Sequence, residues 1–440
     1  MINLRQLPLT LALATAFALP AQAQSLVELY DAARGFDASY QSAKSQFEAS
    51  VYRAEQAKAG LLPSAGLAMG VNRANMSSDT PSFDRGSYGN QSATLSASQP
   101  LFRPANRAAA EQGKKSVDVA KAQLQTADQE LVVRVSQAYF DVLAANDNLN
   151  FVKAQKSAVS EQLAAAKRTF EVGTSTITDT REAQARFDLT TAQEIAAEND
   201  LRVKKIALDQ LTGKNMAAPN PLRVPLVIAP IAPDDVNLWV AQSEELSPAV
   251  RQAQLGLEVA QLETQKAQAG HKPTLDLVGS YNVTKNNGST NSPLDYRTNV
   301  AQVGLSLNLP LFAGFATQNR IKETLALEDK ARSDLEATKR NVAQGTRTAF
   351  FGADSLLGQV KALEAAEASS QSALDATKLG YQVGVRINID VLNAQTALFD
   401  TKARLAKARY DLLLANLKLR QANGSLVAED LTAINAVLTN

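Results

Sequence analysis

Charged and polar side chains that can bind ions or one another occur at a short break between two long helical patterns. Tyr381, Arg386 and Asp390 lie close together there, on either side of Gly384. Glycine suits the left-handed residue that ends a helix, and Asp390 occupies the place of an N-cap that would begin the next one. The chemistry available at such a turn is ion pairing, hydrogen bonding and attraction of cations.

An earlier copy of this break contains Gly173, Asp179 and Glu182. The spacing is the same: 384 − 173 = 211 and 390 − 179 = 211. In this copy Asp179 is expected to act as an N-cap, with Glu182 completing a capping box. The chain therefore contains two helix-hairpin tips, predicted at 172–179 and 381–390.

Catalysis and tight metal binding find little support in the sequence. The chain has no cysteine, so disulfides, thiolate nucleophiles and thiolate metal sites are excluded. His271 is the single histidine, and a lone histidine at a helix-to-strand junction is more often structural than a metal ligand. No phosphate-binding loop or Ser/His/Asp arrangement is present. Lys plus Arg is 45 and Asp plus Glu is 44, a balance that does not favour a nucleic-acid partner.

Long helices dominate the elements that must position the tips. No proline occurs between Pro104 and Pro219, or after Pro310. Proline is nearly excluded from helix interiors, so both segments read as helical arms. The stretch 105–172 alone would form a helix of roughly 100 Å. These lengths predict a rod or a tube.

The clearest periodicity lies in residues 391–422. Large apolar residues recur every seven positions, and small residues recur three places after them, which predicts a closely packed coiled-coil seam. The first copy is looser, because Glu194 interrupts the series Phe187, Leu201 and Leu208. The large residues are Val391, Leu398, Leu405, Leu412 and Leu419, and the small ones are Ala394, Thr401, Ala408, Ala415 and Ala422.

Alternating apolar and polar residues predict strands in two pairs, around 67–71 with 93–98 and around 275–277 with 303–309. Prolines mark the expected strand–helix junctions, with 273 − 63 = 210 and 310 − 100 = 210. Four strands with one apolar face cannot close a barrel alone, so several chains are expected to share one. The strand ends carry Tyr88, Tyr281, Tyr296, Phe102 and Phe312, which either form interfacial aromatic bands or simply pack.

The expected organisation begins with a signal peptide at residues 1–23, with Arg5, an apolar stretch and a small-x-small cleavage site. Residues 24–218 form a first repeat with a β-hairpin at 61–100, and 248–424 form a second with a β-hairpin at 273–310. Residues 219–247 are a linker or equatorial region, and 425–440 are a C-terminal equatorial tail. No later run suits a membrane helix.

With these features, the sequence resembles the TolC family of outer-membrane channels, which serve tripartite efflux and type I secretion. The likeness runs from about Ser25 to Ile434, and its densest block is 381–424. It rests on motifs in a shared order, including Gly270-His-Lys-Pro-Thr-Leu-Asp-Leu277, Gly304-Leu-Ser-Leu-Asn-Leu-Pro-Leu311, Ala138-Tyr-Phe-Asp-Val-Leu143 and both tips.

The resemblance implies a mixed α and β membrane protein without catalytic activity or cofactor. It would be a homotrimer with a twelve-stranded outer-membrane β-barrel, four strands per protomer, continued by a periplasmic α-helical barrel of coiled-coil hairpins. Its partners would be a periplasmic adaptor, an inner-membrane ABC or RND transporter and outer-membrane lipid, and nucleic acid is not expected. It would be an exit duct that opens by iris-like movement of its tips, for drugs, a secreted protein or both.

The resemblance also implies roles for particular residues. Tyr381 would bond to Asp179 of its own chain, and Arg386 would reach Thr178 and Asp179 of a neighbour. Gln162 matches a network glutamine, but Lys378 replaces its usual glutamate partner. Asp390 and Asn393 line the constriction, and since only Asp390 is acidic, we expect weaker cation block than with two acidic rings. The adaptor-binding positions are Val172, Gly173, Val383 and Gly384.

Two alternatives remain at this stage. A non-porous periplasmic scaffold or adaptor would also use coiled-coil hairpins, but it would not need two copies of an alternating strand pair. An enzyme is the least supported interpretation, because the sequence shows no recognisable catalytic arrangement.

Overall fold

The computed structural model describes residues 24–77, 79, 86–223, 230–288 and 294–438. The predicted signal peptide, residues 1–23, lies outside this range. The first half contains α1 (Leu26–Phe36), α2 (Ala38–Ala59), β1 (Ser64–Met76), β2 (Gly86–Phe102), α3 (Pro104–Glu171) and α4 (Ile177–Thr212). The second half contains α5 (Val236–Leu246), α6 (Pro248–Gln268), β3 (Thr274–Asn287), β4 (Asp295–Asn308), α7 (Ala316–Gln382), α8 (Asn388–Asn423) and α9 (Asp430–Asn435).

The proline-free segments form the longest helices, with 68 residues in α3 and 67 in α7. Each is followed by a short turn and a helix of 36 residues, α4 or α8. Within the described ranges, no helix combines the length and the apolar character that a bilayer crossing requires.

The described residues fall into two compact units. The helical unit comprises residues 24–44, 124–250 and 339–438, and it contains both hairpin tips. The sheet unit comprises residues 45–123 and 251–338, and it contains all of the strands named above.

The sheet has the order β1-β2-β3-β4, and every neighbouring pair is antiparallel. Pro100 was expected to mark the end of its strand but lies inside β2, which continues to Phe102. The β2–β3 register shifts between Pro100 and Phe102, because proline has no N–H to donate to the ladder. Arg103, just after β2, donates to both carboxylate oxygens of Asp276 in β3, at 2.8 and 2.6 Å.

The two faces of the sheet differ sharply in polarity. The ladder register places Leu67 of β1 beside Leu95, Tyr281 and Ala301 on one face. This face is apolar and exposed, with Met69 at 75% and Val303 at 83% exposure. The opposite face carries small and polar residues, among them Gly66, Ser96, Ser280, Gln302, Asn72, Asn90 and Asn286. An exposed apolar face backed by a polar one is the pattern of a transmembrane barrel strand.

The predicted seam of α8 is buried. Its large residues have exposures of 1–3%, and Leu405, Ala408 and Leu412 pack with Val360 of α7. In the first hairpin, Glu194 of α4 forms an ion pair with Lys156 of α3 at 2.6 Å, and both side chains are largely buried. The interruption in the first copy is therefore an ion pair inside the hairpin. Its counterpart 211 residues later, Leu405, is apolar.

Two polar contacts tie the helical unit together. Arg134 of α3 donates to both carboxylate oxygens of Asp37 at 3.1 and 2.8 Å, and Asp37 also accepts from the backbone N–H of Tyr40. Burial acts to raise the pKa of Asp37, but these hydrogen bonds outweigh it and hold that pKa below its ordinary value. Tyr410 of α8 donates to Asp147 of α3 at 2.7 Å, and burial raises the pKa of Asp147 despite this bond.

The region between the two repeats contacts both ends of the described chain. Pro219 forms a β-bridge with Gln24, and Leu222 forms one with Leu438. Trp239 of α5 is buried against Phe350 and Leu419. The equatorial role predicted for 219–247 and 425–440 stays a prediction, although these contacts bring the two segments together.

Candidate functional site: the tips of two helix hairpins

Both tips begin with the same helix-ending turn. Gly173 and Gly384 have φ angles of +77° and +78°. The N–H of Gly173 bonds to the carbonyl of Phe170 at 3.0 Å, and that of Thr174 bonds to Thr169 at 2.9 Å. Gly384 and the residue after it repeat this pattern, at 3.2 and 2.9 Å. These are Schellman turns, in which glycine avoids the penalty that a side chain pays at positive φ.

The helices that follow begin three residues earlier than the sequence suggested. Thr176, not Asp179, is the N-cap of α4, and Asp179 stands at the third helical position. Their capping box is complete: the N–H of Asp179 bonds to the Thr176 hydroxyl at 3.2 Å, and Thr176 N–H bonds to the Asp179 carboxylate at 3.0 Å. The expected box with Glu182 was wrong, because Asp179 itself supplies the returning carboxylate.

The second tip has only half of this box. Ile387 is the N-cap of α8, and Asp390 is again at the third helical position. The N–H of Ile387 bonds to the Asp390 carboxylate at 3.4 Å, but isoleucine has no oxygen with which to accept in return. The assignment of Asp390 as an N-cap was therefore wrong.

Hydrogen bonds connect the two tips within one chain. The Gln162 amide of α3 donates to the side-chain oxygen of Asn388, which is 2% exposed. The Asn388 amide in turn donates to the backbone carbonyl of Asp179 at 3.4 Å. Arg186 of α4 donates to the side-chain oxygen of Asn393 at 2.9 Å. Gln162, Asp179 and Asn393 were among the predicted residues, whereas Asn388 and Arg186 were not.

The remaining network residues are placed as follows. Arg386 is exposed, and its guanidinium lies 3.8 Å from the Asp390 carboxylate. The Arg386 stem passes over Gly380, where an added Cβ would lie 2.8 Å from Cγ of Arg386. Tyr381 is half-buried against Leu374, Val391 and Leu398.

The predicted bond between Tyr381 and Asp179 has no counterpart among the contacts of the described residues. Instead, the Asp179 carboxylate accepts from both the N–H and the hydroxyl of Thr176. Thr178 is exposed, as a contact with a neighbouring chain would require, and Lys378 is exposed as well. Gln162 uses Asn388 as its partner, so the substitution at Lys378 does not leave it without one.

Apolar side chains surround the glycines at the ends of the hairpins. Val172 is 73% exposed and Val383 is 66% exposed. Val385 and Ile387 add to the surface of the second tip, with 76% and 60% exposure. Apolar side chains that cluster on a polar surface commonly mark a contact for another protein.

The described residues hold no group of three or more His, Cys, Asp or Glu side chains suited to a metal ion. His271 is exposed at the end of a short 3-10 turn, Ala269–His271, just before β3. The chemistry of the tips is therefore that of hydrogen bonds and ion pairs.

Comparisons with known proteins point to a single class of protein, the outer-membrane channels. The model of the Outer membrane efflux protein family matches residues 29–214 and 239–425, once in each half of the chain. Outer membrane protein TolC of Vibrio cholerae is 34% identical over 423 residues, covering 94% of each chain. Alkaline protease secretion protein AprF of Pseudomonas aeruginosa is 30% identical, covering 94% of this chain and 87% of that protein.

A solved structure shows the same fold. The outer-membrane protein VceC of Vibrio cholerae superposes with a TM-score of 0.77 at 19% identity, covering 91% of this chain and 96% of VceC. The helices and the four-stranded sheet are those of a channel-tunnel.

This chain belongs to the Outer membrane efflux protein family. The predicted fold class is confirmed, and so is the location in the outer membrane of a Gram-negative bacterium with a large periplasmic part. The protein serves as an outer-membrane exit duct, and the scaffold alternative is set aside. Its family and its relatives are channel proteins, not enzymes.

Proposed function

We propose that three copies of this chain form one duct, closed at its periplasmic end by the hairpin tips. Iris-like movement of the tips would open it when a periplasmic adaptor and an inner-membrane ABC or RND transporter engage them. The duct itself would catalyse no reaction. The sheet supports the assembly of several chains, because β1 and β4 are edges with unpaired backbone groups that a bilayer does not tolerate.

The observation that carries the gate is the exposure of Arg386. Its guanidinium has one acidic neighbour in the described chain, Asp390 at 3.8 Å, and its side chain is 61% exposed. Donors therefore remain for Thr178 and Asp179 of a neighbouring protomer. Exposed charge-assisted bonds contribute only about 0–1 kcal/mol each, so a ring of three holds a closed state that binding of a partner can release.

Hydrogen bonds within the chain determine which contacts an opening movement must break. Gln162 and Asn388 couple the α3–α4 hairpin to the start of α8. An iris-like movement of the second tip against the first would break this contact. Tyr381, packed against the α8 seam, would travel with the second tip.

The cation site at the constriction would rest on Asp390. Asn393 is exposed, but its side-chain oxygen already accepts from Arg186. Three copies of Asp390 would attract multivalent cations, and the uncharged Asn393 would add no second acidic ring.

The surface around Val172, Gly173, Val383 and Gly384 would receive the adaptor. Residues 1–23 would direct export, and 219–247 with 425–440 would form the equatorial region. The family name indicates efflux, and the Pseudomonas aeruginosa relative is named for protease secretion. Cargo of either kind therefore fits the proposal.

The experiment is single-channel conductance in planar bilayers for the wild type and Arg386→Ala. We expect larger conductance steps in the variant, because the link between protomers is lost. Arg332→Ala is the matched control, since Arg332 is similarly exposed but pairs with Glu328 and Asp329 of its own helix. Equal steps in the wild type and Arg386→Ala would remove Arg386 from the gate.

The movement itself is tested by a tether. The chain has no cysteine, so Gln162→Cys with Asn388→Cys introduces thiols only at these two hydrogen-bonded positions, and a short reducible dithiol cross-linker can bridge them. In the Arg386→Ala background we expect cross-linking to return the conductance to the small wild-type steps, and reduction to restore the large ones. Large steps in the cross-linked form would exclude movement of the second tip against the first.

A further inference from the structure

Basic residues of the sheet are confined to its apolar face. Within the four strands these residues are Arg73, Lys285 and Arg297. The register places all three on the face that carries Leu67, Leu95 and Leu305, beyond the end of the apolar band nearest the strand-connecting loops. The polar face at that level is uncharged, with Asn90 donating to Asn286 at 2.6 Å.

Lys285 and Arg297 lie directly opposite each other across the β3–β4 ladder. Like charges at directly opposite positions repel each other and destabilise a sheet unless an anion lies between them. Gln91 is opposite Lys285 on the other side, and Val71 is opposite Gln91. Arg73 lies one row further along the same face, and its Nε donates to Ser87 of β2 at 2.8 Å.

Among the described residues, no carboxylate lies within ion-pair distance of these three cations. Asp295 is on the same face, but its two carboxylate oxygens accept from the side-chain amide nitrogen of Asn287 at 2.9 and 2.7 Å. A shallow groove of about 350 Å³ is lined in part by Arg73, Ser87, Gln91 and Lys285. Arg73 and Lys285 are therefore exposed cations that line the groove, and Arg297 is a third exposed cation, directly opposite Lys285.

The position of the cluster relative to the membrane follows from the strand geometry. From Leu275 to Val283 the apolar face of β3 spans eight residues' rise, about 27 Å along the strand. At a tilt of about 40° this is roughly 21 Å of membrane thickness, close to the ~25 Å apolar band of outer-membrane barrels. Lys285 is the next residue on this face, and its charge lies at the level of the lipid headgroups.

Within the sheet unit, α2 and α3 adjoin the ends of β1 and β2 opposite the strand-connecting loops. With these helices on the periplasmic side, as the proposed function has it, the loops and this cluster face the cell exterior. We propose that Arg73, Lys285 and Arg297 bind the phosphate groups of the phosphorylated glycolipid of the outer leaflet. Charge complementarity and continuity with the lipid-facing apolar band identify this occupant. The acyl chains would lie on the band while the phosphates occupy the groove, which relieves the repulsion between Lys285 and Arg297.

The test measures binding of bisphosphorylated lipid A to the purified full-length protein in detergent, by native mass spectrometry and by the shift in thermal unfolding midpoint. A dephosphorylated lipid A with the same acyl chains isolates the phosphate contribution. Inorganic phosphate alone separates a lipid headgroup from a free anion. The variant replaces Arg73, Lys285 and Arg297 by glutamine.

Each basic residue near an anionic lipid surface contributes about fivefold in affinity, so we expect binding of lipid A to weaken roughly 100-fold in the triple variant. The matched control replaces Lys58, Lys114 and Lys330 by glutamine, because these are exposed lysines on helices with acidic neighbours. It has the same net charge change and should bind as the wild type does.

Three results would overturn the proposal: wild-type affinity in the triple variant, equal binding of the dephosphorylated lipid, or the same response to inorganic phosphate alone. If the triple variant does not fold, Gln91 gives a second test. Gln91→Lys should tighten binding of lipid A about fivefold and Gln91→Glu should weaken it by a similar factor. Unchanged affinity in both would refute the assignment.

Discussion

The unequal capping of the two tips predicts that the second tip opens locally more often than the first. Thr176 and Asp179 complete a capping box at the start of α4, whereas Ile387 and Asp390 form only half of one at the start of α8. The positions correspond, since 387 − 176 = 211. Ile387→Thr would supply the missing hydroxyl to the N–H of Asp390.

The expected gain follows from the value of an N-cap. A capping side chain contributes about 1 kcal/mol, in a range of roughly 0.5–2. A gain of about 1 kcal/mol lowers the population of the opened first turn about fivefold. The penalty for replacing Ile387 is small, because its side chain is 60% exposed.

The assay is hydrogen exchange measured by mass spectrometry on peptides that span 385–395. Ile387→Thr should slow exchange at Asp390 and Val391 about fivefold, and Ile387→Val should not. Valine and threonine have nearly the same shape, so their difference isolates the hydroxyl. In the first tip, Thr176→Val should speed exchange at the start of α4 by a similar factor.

The same variants link local opening to the gate. If opening of the second tip depends on fraying at the start of α8, Ile387→Thr should also reduce the frequency of spontaneous large-conductance events. Identical exchange in Ile387→Thr and Ile387→Val would refute the reasoning, because the hydroxyl would then contribute nothing to the stability of this turn.

Three further predictions concern the helical unit. Glu194→Ala should destabilise the protein by about 1–3 kcal/mol because Lys156 is left largely buried without its partner. The double variant Lys156→Met with Glu194→Leu should restore or exceed wild-type stability. Thermal unfolding of the wild type and both variants measures these differences. Asp37→Asn should cost about 1–3 kcal/mol at neutral pH, and since the folded pKa of Asp37 is lowered, its stabilisation is present above the ordinary pKa and is lost as the pH falls through the folded value. Thermal unfolding midpoints of the wild type and Asp37→Asn, measured from pH 2 to 7, check this prediction, because the two midpoints should converge at the acid end. The folded pKa of Asp147 is raised, so its contribution makes the free energy of unfolding fall as the pH rises from the ordinary pKa of 3.8 through the folded pKa. Asp147→Asn should remove that part of the decline. An unchanged dependence of stability on pH in the variant would contradict this prediction.

Local signals predicted much of the fold because helices, strands and turns depend on neighbouring residues. The absence of proline anticipated α3 and α7, and alternation anticipated the strands. The five large residues of the heptad series of α8 are all buried in the structure. Gly173 and Gly384 identified the turns, because only glycine adopts positive φ without penalty. Duplication could be read from the constant spacing alone.

The caps show where local reasoning was insufficient. Both aspartates were placed at the start of a helix, yet each stands at its third position. Ser, Thr, Asp and Asn all favour the N-cap, so residue type alone does not distinguish Thr176 from Asp179. The backbone decided between them, because Thr176 is extended and Asp179 is already helical.

The sequence by itself determined the elements, their duplication and the family to which they belong. The tertiary structure alone decided which polar residues of the hairpins meet: Gln162 with Asn388, Arg186 with Asn393, and Lys156 with Glu194. These partners are separated by as many as 226 residues, and their contact depends on how the hairpins pack side by side. Periodicity specifies which face of each helix is buried, but the pairing of polar side chains across that packing is fixed only when the helices come together.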